Sequence, residues 1–194
     1  MSVVSRDRLP RLTAAEVSAE VAQATAVYRT VLGTAPGSFA APGWRCTPQS
    51  LAAVDAAGFA YRSDTRGTSP YRPAANGRVF RVPEIPTTLP TLDELYGRVA
   101  RRPQALVECL LQGLQPGQLN VHTLHAELEG GPHLDVLEAL LTRVQGLARL
   151  VRLCDEATAL PVAALPVCSV RDGAVPGRAM PVAMQGPPVS PAEV

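Results

Sequence analysis

The sequence predicts an α/β fold built from parallel strand–helix units. Three observations lead there. Helical apolar periods alternate along the chain with short extended apolar runs. Two of those runs, Ser38–Ala41 and Phe59–Ser63, leave into Pro42-Gly43 and Asp64–Gly67 before the next helix or turn, a pattern that favours parallel βα units over an antiparallel sheet. The 194 residues are 46% hydrophobic but only 4% aromatic, so a core can form and must be built from Leu, Val and Ala. That length fits one domain or a part of a larger one.

Residues 1–12 are polar and break at Pro10, which predicts an entering loop. Thr13-Ala14-Ala15-Glu16 has capping-box spacing, and Val17, Val21, Ala24, Tyr28, Val31 and Leu32 continue at helical spacing up to Gly33. After the turn at Thr34–Gly37 and the run Ser38–Ala41, Leu51, Val54 and Ala57 predict a short helix from Pro48 that stops at Gly58. Phe59–Ser63 reads as the next strand. Residues 67–91 carry Pro70, Pro73, Pro83, Pro86 and Pro90, a density that predicts an ordered loop with one extended piece around Val79–Val82. Short helices are expected over Asp93–Val99 and Ala105–Leu114, and a longer one over His133–Gln145 with Leu134, Leu137, Leu140, Leu141 and Val144 as its apolar stripe. Leu147–Leu153 is a candidate final strand and Asp155–Leu160 a short helix. Residues 161–194, with six prolines after Pro161 and no period, read as a tail, loosely packed to about Met184 and disordered beyond it.

Composition excludes several functions. A formal charge of +1, with Arg101-Arg102 as the longest basic run, leaves no footprint for nucleic acid. All 18 basic residues are arginine, which together with abundant Ala, Gly and Pro points to a GC-rich coding bias. Four scattered cysteines without CxxC pairing argue against a structural zinc site and a disulfide scaffold. The N-terminus has no signal-peptide core, and no run is long enough to span a membrane.

The stretch with chemical content is Leu119–Gly130, LNVHTLHAELEG. Its alternation predicts a strand of about seven residues that delivers His125 to its end, with Glu127 and Glu129 following. Such a histidine is placed for chemistry in α/β folds, or is packed and hydrogen-bonded within a strand; the spacing alone leaves both open.

Motifs in fixed order narrow the choice. Gly33-x-x-Pro36-x-x-Phe39-x-x-Pro42-Gly43-Trp44-Arg45, then Gly58-Phe59 with Tyr61–Gly67 (YRSDTRG), then Pro83–Glu94 (PEIPTTLPTLDE), then Leu124–Gly130 (LHAELEG) resemble the polysaccharide deacetylase (NodB-like) family from about Arg8 to Gln185. Within it they are most similar to deformylases of a lipid-linked amino sugar. The resemblance implies a distorted (β/α) barrel and metal-dependent hydrolysis of an amide on an amino sugar. In that family an aspartate acts as base, a second aspartate and two histidines hold a divalent, zinc-like metal, and a late histidine protonates the leaving amine; His125 matches that last role. Ala40 stands where the family has an arginine that orients the base, and Arg45 after Trp44 is the candidate replacement. Asp64 and Arg66 match a loop that holds the sugar or the acid histidine, with a mutual surface salt bridge as the alternative. Glu127 is expected to hold local loop structure rather than a metal.

The family's first two motifs have no counterpart here, and no H-x-x-x-H occurs among the three histidines, His122, His125 and His133. The metal ligands are therefore expected outside this chain. The chain is predicted to be the C-terminal part of the barrel, with 1–12 a loop, 13–160 a partial deacetylase domain and 161–194 the tail, its N-terminal strands missing and a parallel edge left open. Either the reading frame is cut short, or a second chain carries the front half. Alone, the chain is expected to show no metal-dependent turnover. The alternatives are a non-catalytic carbohydrate-binding remnant, with Trp44, Tyr61 and Tyr71 contacting sugar, and a gene fragment without a present role. The family's substrate implies a cytoplasmic protein, peripheral at the inner membrane.

Overall fold

Thr13 caps the first helix as its spacing predicts. Its hydroxyl accepts from the Glu16 amide at 3.3 Å while the Glu16 carboxylate accepts from the Thr13 amide at 2.8 Å, and α1 (Ala14–Leu32) runs on to a left-handed Gly33 at φ 73°. A computed structural model describes residues 9–190, and these fall into two units. The first holds the described residues up to Pro86 with Leu153–Gly173 and those from Val182; the second holds Thr87–Arg152 with Ala174–Pro181.

In the first unit, β1 (Ser38–Phe39) pairs in parallel with β2 (Tyr61–Arg62), and α2 (Pro48–Ala57) is the crossover between them. A second capping box, Thr47 with Ser50, starts α2, and Gly58 at φ 73° ends it. Val17 and Val21 of α1 pack with Ala53, Val54, Phe59 and Val82 into one core. Toward its C-terminal end α1 is open: Val27, Tyr28, Val31 and Leu32 are exposed, and an apolar cavity of about 560 Å³ is lined by this helix, Phe39 and Arg45.

The two strands expected to form a parallel βα unit do so as β1 and β2, and a second sheet, not expected, is mixed. Its order is β4-β3-β5-β6, formed by β3 (Arg72–Ala75), β4 (Arg78–Val79), β5 (Val167–Gly173) and β6 (Val182–Pro188); only β3 and β5 run parallel. Pro73 thus stands in an interior strand, against the reading of 67–91 as a loop. Its missing N–H is tolerated because the Arg72 amide donates to Pro166 O at 2.9 Å and Pro73 O accepts from the Phe80 amide at 2.8 Å. Residues 167–188, expected as tail, supply β5 and β6. Here the prolines sit at the ends, with Pro187 and Pro188 closing the outer strand.

The second unit is helical. Leu92, Leu106, Val107, Leu110 and Val136 pack α3 (Leu92–Leu95), α4 (Pro103–Gln112) and α5 (Leu134–Val144) together, and Arg143 bridges to Glu108. The segment Leu119–His125 is no strand, contrary to its alternation. Its backbone pairing with the Thr88–Leu89 stretch is made at Val121: Val121 O accepts from the Thr88 and Leu89 amides at 3.0 Å each, and the Val121 amide donates to Thr88 Oγ1 at 2.9 Å. Leu147–Leu153 forms no strand either, with Leu147 66% exposed, and α6 (Leu153–Ala159) of the first unit begins where that run was to end. No helix among the described residues is long and apolar enough to cross a membrane.

Candidate functional site

The first unit gathers Asp64 and Glu84, both 0% exposed. Glu84 arrives by a single-residue bridge beside Arg62 and Tyr71, and Asp64 lies two residues past β2. Glu84 Oε1 accepts from the Asp64 amide at 2.8 Å, the Thr65 amide at 2.9 Å and Thr65 Oγ1 at 3.0 Å. Because the Thr65 hydroxyl donates there, the Tyr71 hydroxyl donates to Thr65 Oγ1 at 2.9 Å. Asp64 Oδ1 accepts from the Ala41 amide at 2.7 Å, while Asp64 Oδ2 and Glu84 Oε2 have no hydrogen-bond partner among the described residues. Burial pushes the Asp64 carboxyl up to about 6, against the pull of Arg62 and the Ala41 amide. Burial, and then the charge of Asp64, push Glu84 up to about 8. The same burial holds the Cys46 thiol and the Tyr71 phenol protonated.

Beside them, Arg62 is engaged elsewhere. Its Nη2 meets Asp55 Oδ1 at 2.9 Å and its Nη1 donates to Leu51 O at 3.0 Å. Asp55 also accepts from the Arg81 and Val82 amides, which ties α2 to the chain after β4.

The second unit surrounds His125 with acids. The His125 amide donates to Glu129 Oε2 at 3.0 Å, and its ring Nδ1, buried and without a hydrogen-bond partner, lies 3.7 Å from Asp93 Oδ1. His122 Nδ1 lies 3.0 Å from Pro90 O; a carbonyl only accepts, so Nδ1 carries the proton and Nε2 points to Glu129 Oε1 at 3.7 Å. Arg178 meets Asp93 Oδ2 at 3.1 Å and Glu94 Oε1 at 2.8 Å.

The sequence-predicted residues separate accordingly. Trp44, Arg45, Asp64 and Arg66 lie in the first unit, His125 and Glu127 in the second. Trp44 is 5% exposed, its backbone in the left-handed region at φ 52° and the Arg66 guanidinium 4.9 Å over its ring. Such a ring, like the fully buried Tyr71, offers no face for stacking on sugar. Asp64 and Arg66 are both buried, which removes the surface salt bridge. Arg45 is half-buried beside the apolar cavity. Glu127 is exposed, and the part of holding the His125 loop falls to Glu129, 2% exposed. Sequence reasoning also passed over Asp55, Glu84 and Asp93, and it missed Arg178. The signal for Arg178 was Val175-Pro176-Gly177-Arg178, a proline–glycine turn that the structure closes with an amide of Arg178 donating to Val175 O at 3.0 Å.

Among the described residues no group of three or more His, Cys, Asp or Glu side chains could hold a metal ion, so the residues present do not fit the divalent metal that the resemblance implies.

No family profile matches the chain. A protein of Shewanella sediminis named as a probable 4-deoxy-4-formamido-L-arabinose-phosphoundecaprenol deformylase is 34% identical over 134 residues, covering 69% of this chain and 43% of the relative. One of the same name from Wigglesworthia glossinidia brevipalpis is 28% identical over 148 residues, covering 72% and 49%. A crystal structure from Mycobacterium smegmatis described as a polysaccharide deacetylase superposes with a TM-score of 0.68 at 17% identity, over 86% of this chain and 64% of that one. The chain spans about half the length of the curated relatives it matches, and these likenesses together support its place in the polysaccharide deacetylase (NodB-like) family.

Proposed function

We propose that the chain forms the C-terminal part of a distorted (β/α) barrel and supplies the proton-donating side of a hydrolase. Its substrate class is a lipid-linked amino sugar bearing a formyl or acetyl amide. The observation that carries this reading is His125 itself: it stands in the segment that resembles the family's last motif, its backbone is fixed by Glu129, and its ring is backed by Asp93. An amine departs poorly as an anion, so cleavage of the amide C–N bond needs a proton delivered to nitrogen, and an imidazolium on a fixed loop can deliver it.

The base and the metal belong, in this reading, to a further segment, upstream in the same polypeptide or on a second chain. The open apolar end of α1 and the cavity beside it support such a segment, because a strand–helix layer would bury them. A lipid-linked substrate would set the work at the inner face of the membrane.

The test is release of formate or acetate from lipid-linked formamido and acetamido sugars with zinc added. The chain alone is expected to release neither. Supplied with the front half of a relative, it is expected to turn over, and His125→Ala is expected to abolish that. Turnover by the chain alone would overturn the need for a second segment; complemented turnover untouched by His125→Ala would overturn the role of His125.

A further inference from the structure

Arg178 brings two neighbouring acids into a fixed frame. Its Nε donates to Glu94 Oε1 at 2.8 Å, its Nη1 meets Asp93 Oδ2 at 3.1 Å, and its Nη2 reaches Thr91 Oγ1 at 3.0 Å and Asp93 Oδ1 at 3.3 Å. Glu94 in turn accepts from the Thr91 amide at 3.0 Å, and Thr91 Oγ1 donates to Asp93 Oδ1 at 2.5 Å. The Asp93 carboxylate therefore has both oxygens held from one side, which is how a planar guanidinium fork orients a carboxylate. The turn that delivers Arg178 depends on Gly177: its φ is 94°, and a Cβ there would stand 3.0 Å from Glu94 Cα.

What this frame faces is the His125 ring. Nδ1 of His125 is buried and makes no hydrogen bond, and Asp93 Oδ1 lies 3.7 Å from it. The other nearby carboxylate is already engaged, since Glu129 accepts from the His125 amide and points its second oxygen toward His122. A buried ring nitrogen opposite a carboxylate is satisfied only when it carries the proton, and a small ring rotation closes 3.7 Å to hydrogen-bond length.

We propose that Asp93, clamped by Arg178 and Thr91, is a positioning residue that holds His125 in the Nδ1–H tautomer and leaves Nε2 as the atom that exchanges a proton with substrate. The inference rests on the reading of His125 as the proton donor. In that step the imidazolium loses its Nε2 proton to the departing nitrogen and remains a neutral ring with Nδ1–H directed at Asp93. Free imidazole has no such constraint, so the carboxylate decides which nitrogen is open.

The experiment is long-range ¹⁵N–¹H NMR on the full chain with ¹⁵N-labelled histidine, at alkaline pH, where the neutral ring is read. A His125→Gln spectrum assigns His125 against His122 and His133. The expected result is a His125 ring predominantly in the Nδ1–H form, shifting to predominantly Nε2–H in Asp93→Ala while circular dichroism is unchanged. A wild-type ring predominantly in the Nε2–H form overturns the proposal, whether or not the variant folds. So does a folded Asp93→Ala protein whose His125 tautomer is that of the wild type. No turnover is needed for either reading, so failure of the hydrolase assay and failure of this proposal are separate events.

Discussion

Asp64 with Glu84 in the first unit, and Asp93 with Glu94 in the second, are both close acidic pairs, and the protein treats them in opposite ways. The first pair is sealed from solvent, its near cation is bound to Asp55, and burial drives both carboxyls toward their protonated forms. The second pair is bridged by Arg178 and stands against a histidine. A guanidinium fork supplies a counter-charge and fixes the orientation of the second pair, whereas the first pair is shifted toward protonation by burial. By this contrast Asp64, which matches a family motif, is built into the interior of its unit, and Asp93 is the acid that stands beside a histidine.

The largest expected effect tests the interior of the first unit. Arg62→Ala removes the buried ion partner of Asp55, leaving it only the exposed Arg78 and Arg81 guanidinium groups at 3.7 Å, and is expected to cost about 3–5 kcal/mol, read as a lower urea midpoint of the first unit. A loss within error would mean that the buried ion pair does not hold α2 in place. The matching change in the second unit is Leu106→Ala, which empties a fully buried position among Leu92, Val107 and Val136 and is expected to cost about 2–5 kcal/mol by the same measurement. If each variant lowers one transition and spares the other, the two units unfold separately; a single shared transition would remove the contrast.

Acidity sharpens the comparison next. Both first-unit carboxyls have folded values above those of the unfolded chain, at about 6 and about 8, so the folded state binds more protons across that window. Their contribution to stability is full below the unfolded carboxylate range and is lost as pH rises through those values. The urea midpoint of the first unit is expected to fall between about pH 5 and about pH 9, and Glu84→Gln, which keeps an acceptor for the Thr65 and Asp64 amides, is expected to flatten the upper part of that fall. A midpoint that rises over this range would contradict protonated carboxyls. The smallest effect is at the surface: Thr13→Ala removes the cap of α1 and is expected to cost about 1 kcal/mol, seen as a slightly lower melting temperature.

The elements legible in the sequence are those whose determinants lie within a few residues. The capping boxes at Thr13 and Thr47 and the stops at Gly33 and Gly58 place α1 and α2, and the stripe from Leu134 to Val144 places α5. What escaped depends on distant partners. β3 finds β5 across about ninety residues, and its Pro73 argues locally against any strand. Alternation at Leu119–Leu124 predicted a strand, but alternation does not supply an edge to pair with, and only Val121 finds one. At the site, His125 was legible because a whole motif surrounds it. Glu127 was preferred over Glu129 although the two differ only in which side of a turn they face, a distinction made by the fold and not by spacing. Asp93 and Arg178 could not be joined from sequence, being brought together by a turn inside a proline-rich stretch.

Trp44, buried beneath the Arg66 guanidinium, is the single tryptophan of the chain, and it belongs to the first unit, while all three histidines belong to the second. Its fluorescence is consequently a built-in optical label: emission should redden when the first unit opens and stay silent when only the second does. The same molecule, without any dye or tag, reports on its two halves in two separate spectral channels.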